Sequence, residues 1–367
     1  MDTSGRNLAP LGTRSAKLTL IQCNASLEVI HAHLVRAAHG KESGAWVLAF
    51  PEWVSRLAVH EEMWTKALAL PDTRPEYGDA AAKIRRNLAT LTAAIPLTSY
   101  SQIELVVSDL FWLANNVLAA NLARFCEKRR ISFRLALMDE GAVLYSGTRL
   151  GVRRTLKSLA KYAYLKLHRF PALLIHPGNA DYLHSLCRKV YCLHPNLLQL
   201  PPQLEMERID PVWMSSVYDS QRIPFSLATG SCLYLSQPLY KAVGMDRQAA
   251  VVREAKAYLR EQGIVNFSYK AHHADLPAWL ERLENECGFQ PLSLREQLPV
   301  ELLAPMCQAE VVLGHCTSAL LNLRLYGYEG RIISFGLHKL RAAFPDASQL
   351  GDYLHAVNTL GHVELVD

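Results

Sequence analysis

Gln102-Ile103-Glu104-Leu105-Val106-Val107, a helix-patterned stretch from Asn115 to Lys128, then Ile131-Ser132-Phe133-Arg134-Leu135-Ala136-Leu137-Met138: this run decides the fold class. In its second strand Ile131, Phe133, Leu135 and Leu137 recur at period 2 and share one face. The alternation extends in both directions. Before it come a strand at Lys17–Ile21, a helix over Leu27–Ala38, a strand at Ala45–Phe50 stopped by Pro51, and a helix over Asp79–Thr92. After it come strands at Ser231–Ser236, Asn266–Lys270, Ala309–Leu313 and Arg331–Phe335. Helices are predicted over Ala249–Gln262, Asp275–Cys287 and from Ser318 to Leu325. Repeated strand–helix alternation implies parallel sheets covered by helices on both faces. The predicted fold is α/β, with two doubly wound, Rossmann-type domains facing each other across a cleft. Their predicted extents are 1–150 and 226–367, with a helical and irregular connecting region at 151–225.

The 367 residues suffice for two domains that each bury a core. Half of them are hydrophobic and a fifth charged, as in ordinary soluble proteins. No run of about 20 uncharged apolar residues suggests a transmembrane helix. Met1 to Lys17 is polar and lacks the apolar middle of a secretory signal, so a cytoplasmic location is expected. The eight cysteines are scattered without a Cys-x-x-Cys pair, which predicts reduced core residues and no structural metal. The net charge of +5 is too mild to imply nucleic acid. It is, however, concentrated. Arg149, Arg153, Arg154, Lys157, Lys161, Lys166 and Arg169 follow one another with no acidic residue, interleaved with leucines and tyrosines. This reads as a basic, partly amphipathic helix. It is either a solvated connector or a contact for an anionic membrane surface or an acidic acceptor glycan.

In open α/β sheets ligands bind beyond the carboxyl ends of the strands, and three polar clusters fall there. Asp139-Glu140-Gly141 follows Met138. Either carboxylate could serve as a general base toward a hydroxyl, and Gly141 permits a tight turn. Lys270-Ala271-His272-His273 ends the Asn266–Lys270 strand, where Lys270 and His272 could meet a phosphate by charge and by hydrogen bond. Gly314-His315-Cys316-Thr317-Ser318 joins a strand to a helix, and its hydroxyls and amides suit an anion. Each cluster also has an ordinary reading: an acidic turn, a surface histidine pair, a helix cap. No Gly-x-Gly-x-x-Gly, Gly-x-x-x-x-Gly-Lys-Ser/Thr or Gly-x-Ser-x-Gly is present, which argues against dinucleotide dehydrogenases, P-loop enzymes and α/β-hydrolases.

Taken in order, the three clusters resemble the signatures of bacterial sialyltransferases, nearest in layout to the lipooligosaccharide sialyltransferases and capsule polysialyltransferases. These are an acidic-acidic-Gly motif, a His-Pro motif usually preceded by Lys-Pro, and a paired-hydroxyl motif. Leu235-Ser236-Gln237-Pro238-Leu239 also looks like the start of that family's donor domain. The resemblance spans about 140 to 320 by motif. It departs at His273, where the family has Pro, and at Ala271, where Pro often precedes the His. The donor is therefore open to relatives of sialic acid. The resemblance implies a GT-B-type fold and an inverting, metal-independent transfer of sialic acid or a related nonulosonic acid. The donor is a CMP-sugar, no further cofactor is needed, and the acceptor is a surface glycan such as lipooligosaccharide or capsule. It implies Asp139 as the base, with Glu140 the alternative, and His272 as the group that protonates or hydrogen-bonds the departing phosphate. Gly141, Lys270, His273, Thr317, Ser318 and Gln237 would line the substrates; the basic stretch from Arg149 to Arg169, apart from the resemblance, adds peripheral contact at the inner membrane as an expectation. A GT-B enzyme with another nucleotide sugar is the alternative, as is a non-catalytic glycan- or membrane-binding protein with a decayed donor site.

Overall fold

The computed structural model describes residues 16–40, 42–54, 59–73, 79–139, 145, 152–174, 184–198, 200–214, 227, 230–292, 298–344 and 347–367. The chain divides into two compact units. The first holds residues up to Asp139 with Val152–Cys192 and Leu200–Ile209, and the second holds Asp210–Asp367 with the returning segments 140–151 and Leu193–Gln199.

Among the described residues the first unit is built on seven strands: β1 Lys17–Gln22, β2 Ala45–Pro51, β3 Lys66–Leu70, β4 Gln102–Val107, β5 Ser132–Met138, β6 Cys187–Cys192 and β7 Glu205–Arg208. Their order is β3-β2-β1-β4-β5-β6-β7 and every pairing is parallel. The order reverses between β1 and β4, as in a Rossmann sheet. The helices α1 Ser26–Ala38, α2 Ala80–Ala94, α3 Leu113–Arg129 and α4 Val152–Leu167 accompany it. Central strands are apolar on both faces: Leu18, Leu20 and Ile21 of β1 and Ile103, Leu105 and Val106 of β4 are at most 1% exposed. That is the pattern of a sheet covered on both sides.

Among the described residues the second unit has six parallel strands: β8 Ser231–Leu235, β9 Asn266–Lys270, β10 Gln290–Pro291, β11 Val311–Gly314, β12 Arg331–Phe335 and β13 Glu364–Val366. Their order, β10-β9-β8-β11-β12-β13, is again that of a Rossmann sheet, with the reversal between β8 and β11. Its helices are α5 Tyr240–Val243, α6 Met245–Glu261, α7 Pro277–Asn285, α8 Val300–Leu303, α9 Ser318–Asn322 and α10 Ala347–Leu360. Tyr234, Val252, Leu259, Trp279, Leu283, Phe289, Leu313 and Ile333 form its core.

The two doubly wound α/β units are as the alternation predicts. The stretch read as connecting, 151–225, contributes more: α4, β6 and β7 all belong to the first unit. β7 is Glu-Met-Glu-Arg and carries no hydrophobic signal. It is held at the sheet edge by charge instead. Glu207 accepts from His39 Nε2 at 2.7 Å and pairs with Lys189, while His39 Nδ1 meets Glu42 at 2.6 Å. These contacts, that with Glu207 foremost, push the His39 pKa above the usual histidine range. The returning segment is pinned to the second unit. Leu193 and His194 both donate backbone N–H groups to the Tyr145 hydroxyl, at 3.1 and 3.0 Å, and His194 Nε2 donates to Asn322 Oδ1 at 2.9 Å. No helix among the described residues is long and apolar enough to cross a membrane.

Candidate functional site

Two of the three clusters arrive at one edge of the second sheet. β9, β8 and β11 are neighbours, and Leu235 pairs with Lys270 while Tyr234 pairs with Leu313. The segments that leave these three strands at their carboxyl ends therefore lie side by side, at the reversal of strand order where such sheets bind ligands. Hydrogen bonds lock them. Ser236 N–H donates to Lys270 O at 3.0 Å. Gln237 takes both backbone groups of Cys316: its Oε1 accepts from Cys316 N–H at 2.9 Å and its Nε2 donates to Cys316 O at 2.7 Å. Gln237, expected to touch substrate, thus spends its amide on holding the Cys316 turn. Gly314 lets that turn fold back tightly, since a Cβ there would sit 3.2 Å from Leu320 Cδ1 and 3.3 Å from Thr317 Cγ2.

Behind this edge runs a buried polar chain. His315 is fully buried, with its pKa held down to about 4 by burial, so its ring is neutral. Nδ1–H donates to Phe335 O at 2.8 Å, and Nε2 accepts from the Tyr234 hydroxyl at 3.0 Å. Gln248 Nε2 reaches that hydroxyl at 3.4 Å and donates to Gln237 O at 2.8 Å. The chain fixes both turns from inside and so stiffens the edge above it.

His272 is half-buried and its neighbour His273 exposed, with ring centroids 4.2 Å apart. Burial first, then the charges of Lys270 and Lys241, hold the His272 pKa down to about 4. The ring is neutral near pH 7. Its Nδ1 accepts from Ala274 N–H at 3.1 Å, which leaves the proton on Nε2. His272 therefore presents a hydrogen-bond donor, and an arriving anion would raise its pKa. Asp275 holds the loop by accepting from His272 N–H at 2.8 Å. Lys270 is itself shifted downward: burial outweighs the attraction of Glu301 and Asp275. An NMR titration is expected to place the His272 midpoint near 4 in the ligand-free protein. Lys270→Met should raise it toward the ordinary histidine value of 6.5. An unmoved midpoint would remove Lys270 from electrostatic reach of His272.

Thr317 caps α9, its Oγ1 accepting from Ala319 N–H at 3.3 Å. A hydroxyl that accepts a bond still carries its own hydrogen. Capping and donation to an anion are thus compatible at Thr317. Thr317 and Ser318 are both half-buried, beside the Cys316 turn.

On the first unit, Asp139 stands at the carboxyl end of β5 and is fully buried. Its N–H donates to Tyr191 O at 2.9 Å, and its carbonyl meets His31 Nδ1 at 2.6 Å. Glu140 and Gly141 lie outside the described residues. The reversal point of this sheet, between β1 and β4, holds a further polar cluster that the motifs do not mark. Asn24, Glu28, Ser108 and Asp109 gather there. Glu28 Oε2 accepts from Asn24 N–H at 2.6 Å, and Asn24 Nδ2 donates to Ser108 Oγ at 3.3 Å. Burial, reinforced by the Asp109 charge, pushes the Glu28 pKa up to about 8. The placement rule that singles out Asp139 applies equally to Ser108-Asp109, which follow β4 directly. Beside them, Gln22, Cys23, Asn24, Asp72 and Trp112 line a shallow recess open to solvent. Among the described residues no group of three or more His, Cys, Asp and Glu is placed to hold a metal ion.

No protein-family model matches the sequence, and no curated protein matches it. Solved structures do match. The chain is similar to Methanocaldococcus jannaschii UDP-GlcNAc 2-epimerase in complex with UDP-GlcNAc and UDP, at 12% identity over 95% of this chain and 88% of that one, with a TM-score of 0.52. Neisseria meningitidis UDP-GlcNAc 2-epimerase bound to UDP-GlcNAc is similar at 10% identity over 95% of each chain, with a TM-score of 0.51. Arabidopsis thaliana UGT89C1 is similar at 10% identity over 96% and 85%, with a TM-score of 0.50. At such identities the likeness is one of fold, and it agrees with the sheet orders above: a GT-B-like pair of Rossmann-type α/β units.

Proposed function

We propose that the chain is a nucleotide-sugar-dependent glycosyltransferase that holds its donor at the carboxyl edge of the second sheet. The observation that supports this is the locked adjacency of the β8, β9 and β11 ends, which carries a lysine, a neutral histidine donor and two hydroxyls at one reversal point. In the proposed reaction an acceptor hydroxyl oxygen attacks the anomeric carbon while the bond to the donor phosphate oxygen breaks, with inversion. The order of the motifs supports Asp139, with Glu140 the alternative, as the carboxylate that takes the hydroxyl proton. The nucleotide leaves with added negative charge on its phosphate. Lys270, the Nε2–H of His272 and the hydroxyls of Thr317 and Ser318 would meet that charge. Donors fixed before the bond breaks favour the transition state over the ground state.

Two donors are supported by different observations. The order of Asp139-Glu140-Gly141, Lys270-Ala271-His272 and Thr317-Ser318 supports a CMP-activated sialic or related nonulosonic acid, carried to a surface glycan. The fold likeness to two epimerases whose structures hold UDP-GlcNAc supports a UDP-sugar. Thermal-shift measurement with CMP, UDP and GDP separates them, because a ligand of the folded state adds about 2.7 kcal/mol of stability at a hundred times its Kd. The CMP reading expects the largest rise with CMP. A rise with UDP alone transfers the proposal to a UDP-sugar, and no rise with any nucleotide rejects both donors.

A further inference from the structure

We propose that the outer face of α4 rests on an anionic lipid surface. The helix packs inward through buried Ser158 and through Leu165, which joins α2 and α3 in a small core with Phe170 and Val117. Lys161 also turns inward: its ammonium donates to Phe111 O at 2.9 Å and lies 3.3 Å from the centre of the Phe111 ring. On the opposite side Leu156, Leu159, Ala163 and Leu167 fall at offsets of three, seven and eleven residues, a single stripe of an α-helix. That stripe faces water. Leu156 is 61% exposed, Leu159 41% and Leu167 81%. A water-facing helix ordinarily puts polar side chains there. Exposed Lys157 and Lys166 flank the stripe, exposed Arg169 follows it, and no acidic residue occurs from Arg149 to Arg169.

The combination selects its partner. An acidic glycan would pair with the lysines but leave the leucines in water. A second copy of this face would set lysine against lysine. An anionic bilayer accepts both: headgroup charge meets the cations, and the leucines enter the acyl boundary. At 16 residues, rich in charge, the helix lies in the interface rather than spanning it. Lipid binding of this kind is independent of the transferase reading, and its test requires no activity.

The test is co-sedimentation of the full chain with phosphatidylcholine vesicles, with and without about one third phosphatidylglycerol, at low and high salt. Binding is expected only to the phosphatidylglycerol vesicles and should weaken with salt. The double variant Leu156→Glu/Leu167→Glu should bind at least about tenfold more weakly. Lys157→Glu and Lys166→Glu should each cost about fivefold or more. All four side chains are exposed, so a melting curve should show the fold retained. The proposal is overturned by equal binding to both vesicles, by no binding, or by binding indifferent to the leucine changes. Leucine-dependent dimerisation without vesicle binding also overturns it, as does binding to soluble polysialic acid in its place.

Discussion

His272→Ala is expected to lower the rate of the proposed sugar transfer by about a hundredfold to ten-thousandfold, the range removed with one positioned proton or hydrogen-bond donor. A histidine held to about 4 is neutral at working pH, so in the proposed transfer it would donate from Nε2 to the departing phosphate. The Nδ1 bond from Ala274 fixes which nitrogen carries the proton. Losing that bond costs stability only about 1 kcal/mol. The variant should therefore melt within a few degrees of the parent while its turnover collapses. His272→Gln, which restores an N–H donor without a titrating ring, should recover part of the loss. Near-normal turnover of His272→Ala in either donor assay would remove His272 from the chemistry.

Trp279→Ala is the largest expected loss of stability, about 3–5 kcal/mol for truncating a buried aromatic residue. Trp279 is fully buried on α7, with its ring 5.1 Å from that of Tyr240. Its indole N–H donates to Ser236 Oγ at 2.9 Å, directly at the end of β8. Truncation thus opens a cavity in the second core and frees the segment that carries Gln237. Urea unfolding of the second unit's transition should show the loss, with Trp279→Phe costing less because much of the volume stays. A loss below about 1 kcal/mol would show that the core collapses around the gap.

The central strands are legible in the sequence because residues such as Leu18, Leu105 and Leu313 are apolar where both faces of a sheet are covered. The edges are not. β7 carries three charged residues in four and owes its place to Glu207, whose partners His39 and Lys189 are distant in sequence. β10 spans two residues and β13 three, too few for any period to register. The same division holds at the site. Lys270, His272, Thr317 and Ser318 stand out because polar residues follow apolar strands. Gln237 stands out in the same way, and its amide braces a turn. Its reach to Cys316 depends on the pairing of β8 with β11, which no local pattern encodes. Trp279 and Ser236 meet across 43 positions, and Glu28 titrates high only because the fold buries it beside Asp109.

The path of the chain sets an order of assembly on the ribosome. The first sheet cannot close its edge until Arg208 has emerged, because β7 is made last of its seven strands. Leu193–Gln199, made just before β7, belongs to the other unit. Its anchor, the His194 bond to Asn322, lies 128 residues downstream. Domains tend to fold as they are synthesised, amino-terminal first. This segment therefore spends that whole interval tethered at both ends to a finished sheet, with its upstream partner Tyr145 present but its downstream anchor still unmade. A strand-first chain would hide its loops early; this one holds a loop back until nearly all of its second half exists.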